Sequence, residues 1–216
     1  MSRHNFRMTT LMLALSASAA QAGVVFNLSA FDVYATAVAG ATTIDFNDGS
    51  CGAYVSCVGD YRITAGNYPG RYASPLGIYD NFISVPEAKG GGVLDQVTLV
   101  LDGDYDYYGL YWGSIDSYNA ISFYQDGALV DSFGGGELSP LQDNGGQGTW
   151  DSNRYINFYF TDGALFDTVV LASSNYAFES DNHAYARVGV PEPGTMALFA
   201  MGLLGLIVTR RRIKMQ

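Results

Sequence analysis

The chain has 216 residues, 21 acidic side chains against 11 basic ones, and a net charge of −10. All 21 acids lie between Gly23 and Pro193, where only five bases accompany them, so this stretch carries a net charge of −16. Such a surface repels nucleic acid and anionic lipid head groups, which excludes a nucleic-acid partner, and it attracts cations.

Residues 1–22 have the order of a secretory signal peptide. Arg3 and Arg7 form a basic start, an apolar stretch runs from Met8 to Ala20, and Ala20-Gln21-Ala22 is a small-residue cleavage pattern before Gly23. The expected handlers are the secretion machinery and signal peptidase. Residues 23–189 then form one domain of 167 residues, long enough to bury a sizeable core.

Within this domain only residues 28–39 hint at a helical apolar period. Elsewhere short β-rich runs alternate with Gly, Asp and Asn. Strands are expected near 42–46, 61–64, 81–85, 96–101, 107–112, 120–125, 128–133, 154–160, 167–172 and 176–179. Val97, Leu99 and Leu101 share one strand face, as do Ile156, Phe158 and Phe160. Asp126-Gly127 between two β runs marks a hairpin. Residues 134–150 read as a long surface loop of the kind that carries function. The pattern predicts an all-β fold, an antiparallel β-sandwich of jelly-roll type.

Cys51 and Cys57 are the two cysteines, and in an oxidising compartment they are expected to pair as a disulfide. A zinc site would need about four ligands, and the exported part has one histidine, His183. The densest aromatic stretch runs from Asp102 to Asn119. Tyr and Trp rings can stack on sugars while Asp hydrogen-bonds their hydroxyls. Tyr107, Tyr111, Trp112, Asp116 and Tyr118 are therefore the candidate glycan-binding residues. The competing reading packs these aromatics in the core, because strands favour them for packing alone.

Asp102, Asp104 and Asp106 are the candidate ligands for a calcium ion. The comparison with an EF-hand loop fails at Tyr107, where glycine is needed, and at Gly113, where glutamate is needed. Solvated turn acids are the simpler reading. The group Glu179-Ser180-Asp181-Asn182 is similar. Ser180 and Asp181 flank His183 in sequence, but a triad is defined by geometry, and the histidine reads as a surface or hydrogen-bonded loop residue. No G-x-S-x-G or H-E-x-x-H occurs, no pair of acids stands out, and the sequence reads as non-catalytic.

Residues 190–216 close the chain. Pro191 and Pro193 hold the segment extended around Glu192. Fifteen uncharged residues, 195–209, follow, about 22 Å as a helix. Arg210, Arg211 and Arg212 should stay in the cytoplasm. Val190-Pro191-Glu192-Pro193-Gly194, a short apolar span and a basic stop closely resemble the PEP-CTERM sorting signal of Gram-negative bacteria. The resemblance implies an exosortase as partner, an inner-membrane intermediate, and removal of the tail with transfer to the cell surface. A permanent tail anchor is the alternative. The stretches 107–124, 153–160 and 175–185, with Asp45-Phe46-Asn47 and Gly66-Asn67-Tyr68, are similar to the shared core of one family of exosortase-dependent surface proteins, which implies only an exported surface role.

The expected function is an exported surface or extracellular-matrix protein that binds polysaccharide without turning it over, with calcium as a candidate aid. A secreted glycan-active hydrolase is the alternative.

Overall fold

The computed structural model describes residues 23–88 and 95–189. The expected signal peptide and the whole of the sorting tail, Val190 to Gly194 and Arg210 to Arg212 included, lie outside the described residues.

Twelve strands form two antiparallel sheets among the described residues. The larger sheet holds β1 (Gly23–Leu28), β10 (Arg154–Thr161), β7 (Tyr107–Gly113), β12 (Phe178–Ala186), β5 (Phe82–Val85) and β4 (Arg62–Thr64) in that order, with β2 (Thr42–Ile44) also paired to β12. The smaller sheet runs β3 (Ser56–Gly59), β6 (Asp95–Tyr105), β11 (Phe166–Ser173), β8 (Asn119–Gln125) and β9 (Ala128–Gly134).

Strand alternation builds the core between the sheets. Tyr108, Leu110 and Trp112 point inward from β7 and meet Val97, Leu99, Ile121, Phe123, Val169 and Leu171 of the facing sheet. Trp112 stacks on Phe178 with ring centroids 4.1 Å apart. The expected hairpin forms as β8 paired with β9. A disulfide joins Cys51 to Cys57 of β3.

The larger sheet is covered on its second face as well. Residues 28–39 are not helical. They lie across this face, where the Tyr34 ring sits 5.2 Å from that of Tyr111 and Thr36 Oγ1 lies 2.6 Å from Tyr107 Oη. A helix would satisfy its own backbone, but packing Val33, Tyr34 and Val38 onto the tyrosines buries more apolar surface. β12 runs to Ala186, well beyond the expected 179, because Glu179, Ser180, Asp181 and His183 are polar yet buried in the sheet, so its sequence hides its position.

The strand register sorts the molecule into two ends. Gly23 pairs with Thr161, Tyr159 with Tyr107, and Tyr107 with Ala186, so both ends of the domain leave the larger sheet at one end. Gly113 pairs with Glu179 at the other end, about 20 Å along β7.

Candidate functional site

At this second end the loops enclose a cleft of about 780 Å³. Its floor is Glu179, which is 3 % exposed. Glu179 Oε1 accepts from the Ala73 amide at 2.9 Å and Oε2 from Ser114 Oγ at 2.8 Å. Burial pushes the Glu179 carboxyl up to about 8, against the pull of the Ala73 and Ser114 hydrogen bonds. At neutral pH it is therefore mostly an uncharged acid.

One wall is the β7–β8 connection with Asp116 and Tyr118. Burial also raises the Asp116 carboxyl, while the neighbouring Tyr118 hydroxyl opposes the rise. Tyr118 Oη donates to the Tyr176 carbonyl at 2.7 Å. Asn119 Nδ2 donates to the Ala177 carbonyl at 3.1 Å, so the loop at 175–177 is tied to the same wall. The opposite wall is a turn closed by the Tyr68 amide donating to the Tyr72 carbonyl at 2.9 Å. The Tyr68 ring is 53 % exposed there. The Arg71 guanidinium lies 5.8 Å from the centre of that ring and 5.7 Å from that of Tyr176.

The long loop after β9 supplies Asn144, Gly145 and Gln147 to the rim. Gly145 has φ +68°, and a Cβ there would lie 2.7 Å from Asp116 Oδ1, so only glycine lets this loop close on the wall. Asn153 locks the arrangement from beneath. Its Oδ1 accepts from the Ser114 and Leu76 amides at 2.9 and 3.1 Å, and its Nδ2 donates to the Gly146 and Thr149 carbonyls at 2.6 and 2.9 Å. One side chain thus joins three loops, which holds the cleft in shape without a ligand.

Of the expected glycan-binding residues, Asp116 and Tyr118 line the cleft. Tyr107, Tyr111 and Trp112 do not: all three are fully buried. The correction follows from two-sided burial. Trp112 points into the core, and Tyr107 and Tyr111 lie under residues 28–39, with Tyr111 Oη donating to the Leu76 carbonyl at 2.7 Å. None presents a ring for stacking.

The three aspartates proposed as calcium ligands lie toward the far end of β7, and the carboxylates of Asp102 and Asp106 have other partners. Asp102 Oδ1 accepts from Tyr105 Oη at 2.5 Å, and Asp106 turns inward to bind backbone amides at the end of the domain. Among the described residues no three His, Cys, Asp or Glu side chains group to hold a metal ion.

His183 is corrected as well: it is a core residue of β12. Its Nδ1 lies 2.9 Å from Tyr54 Oη and 3.0 Å from Tyr108 Oη, its Nε2 lies 2.8 Å from Ser180 Oγ, and among the described residues no carboxylate hydrogen-bonds to the ring to complete a triad. Burial drives its pKa down to about 3, which keeps it neutral.

Sequence reasoning missed Arg71, Tyr72, Asn153 and Tyr176 as parts of one site, because they come from three separate segments. Glycine and asparagine density around 66–70 and 144–153 was the available signal.

No curated protein matches the chain. The family model of the PEP-CTERM protein-sorting motif matches residues 189–212, directly after the last strand. The chain thus carries a PEP-CTERM sorting signal, the mark of an exported protein that is anchored and then processed at the membrane by an exosortase.

Proposed function

We propose that the domain is a surface or extracellular-matrix component of a Gram-negative bacterium that binds polysaccharide in this cleft without turning it over. The observation that carries the reading is the convergence of Tyr68, Tyr118 and Tyr176 with Asn67, Asn144, Gln147 and two carboxyl groups around one open cavity. Tyrosine faces suit sugar rings, and amides and carboxyls suit their hydroxyls. The exported address supplies the ligand class, because polymer surrounds a protein released at the cell surface.

The test is co-sedimentation of the exported protein with the host's extracellular polysaccharide, in calcium and in chelator. Binding is expected in both buffers, since no described carboxylates group around a metal. Tyr68→Ala with Asp116→Asn should weaken it about a hundredfold, the loss of one stacked ring and one charged hydrogen bond. Unchanged binding in the double variant would move the ligand elsewhere.

A second reading is favoured by Glu179 and Asp116, two carboxyls in one cleft, of which burial raises Glu179 to about 8, as a general acid requires. Reducing-sugar release that is lost in Glu179→Gln would replace binding with turnover.

A further inference from the structure

One side chain holds the end of the domain. Asp106 lies between β6 and β7 and is 5 % exposed. Its backbone is wired into the larger sheet: its amide donates to the Ala186 carbonyl at 3.2 Å, and its carbonyl accepts from the Phe160 amide at 2.9 Å. Its carboxylate takes the next three residues of the chain. Oδ1 accepts from the Val188 amide at 2.6 Å, Oδ2 accepts from the Gly189 amide at 2.8 Å, and Arg187 Nε lies 3.7 Å from Oδ2. The sorting-signal match begins at Gly189, so Asp106 grips its first residue.

An enzyme that cuts a peptide bond takes the chain on both sides of that bond into its own site. A segment still bonded into a fold must open first, and when opening is fast the rate follows the open population. With residues 187–189 bound by Asp106, a single residue of sequence, Val190, separates the held segment from Pro191, Glu192 and Pro193.

We propose that Asp106 is a latch on the sorting signal: the exosortase acts on the form in which residues 187–189 have left the Asp106 carboxylate, and the latch sets the rate of processing. The proposal rests on exosortase sorting and concerns access to the signal alone. The two amide bonds to the carboxylate are charge-assisted, and losing the net worth of one such bond changes the open population about tenfold or more. Asp106→Asn removes the charge, keeps the shape, and leaves one acceptor for the two amides.

The experiment is a pulse-chase of the full-length chain in a host with its exosortase, following conversion of the membrane-held form to the processed form. Asp106→Asn and Asp106→Ala should shorten the half-time about tenfold, with faster hydrogen exchange at the Val188 and Gly189 amides. Ile121→Val, a core change in the other sheet, controls for general destabilisation and should leave the half-time unchanged. An unchanged or longer half-time in Asp106→Asn, with those two amides exchanging freely, would overturn the latch. Equal acceleration by Ile121→Val would do the same, by tracing the effect to whole-domain opening. Glu192→Ala separates the layers: if that variant is still processed, exosortase sorting itself fails.

Discussion

At the residue scale, burial sets the protonation of three side chains of β12, and it does so in two directions. His183 has a pKa lowered to about 3 from an ordinary 6.5, so the unfolded chain takes up a proton that the fold refuses. Its stabilisation is complete above pH 6.5 and is lost as the pH falls toward 3. Glu179 and Asp181 behave oppositely. Burial raises them to about 8 and about 7, from 4.5 and 3.8, so the fold keeps protons that the unfolded chain has released. Their contribution is complete below those ordinary values and is lost as the pH rises through 7 and 8. Between pH 6.5 and 8 only the two acids act among these three groups, and the melting temperature should fall across that window. Glu179→Gln should flatten the fall. A melting temperature that does not change from pH 6.5 to 8 in the unaltered protein would show that Glu179 is not held as a neutral acid.

At the element scale, β7 is the strand on which the domain is organised. All seven of its residues are buried, with Tyr108, Leu110 and Trp112 in the main core and Tyr107 and Tyr111 under residues 28–39. Gly109, in the middle of the strand, is part of this packing. A Cβ at Gly109 would lie 2.5 Å from Tyr107 Oη and 2.6 Å from Tyr155 Oη, two hydroxyls that sit within buried hydrogen bonds. Gly109→Ala should therefore destabilise by about 1–3 kcal/mol, the usual cost of overpacking a filled interior. Urea unfolding would show this as a lower midpoint at unchanged slope. A wild-type midpoint would mean that the second face is loosely packed. The covering segment also explains why alternation misleads here. A strand buried on both faces reads as a continuous apolar run, and its tyrosines look available for binding only until the chain that covers them is placed.

At the scale of the whole molecule, the cleft and the start of the sorting signal lie at opposite ends of one sandwich. The chain enters and leaves at the Tyr107 end of β7, and the cleft opens at the Gly113 end. A domain held by its tail thus carries its cleft at the end remote from the attachment. The tail decides how long that state lasts. Glu192→Ala should leave the protein in the inner membrane, read by fractionation as an unprocessed form. Normal release of this variant would mean that a different signal directs sorting.

Most strand positions from 42 to 172 were legible in the sequence because alternation and turn residues are local properties, and the β8–β9 hairpin followed from Asp126-Gly127 for the same reason, whereas β1 and the short β3 (Ser56–Gly59) were missed. The ends of β12 were not, because Glu179, Ser180, Asp181 and His183 look like loop residues until their burial is known. Asp116 and Tyr118 could be named as candidates from composition, but their grouping with Tyr68, Tyr176 and Glu179 needed the register of β7 with β12 and the loop links made by Asn153. The sequence by itself determined the address, because a sorting signal is read as a linear order of charge, proline and apolar length. It also determined the β class, through a period of two. Only the tertiary structure decided which aromatics are core and which face the cleft, and which carboxyls stay protonated. Those properties depend on burial, which residues distant in sequence create together.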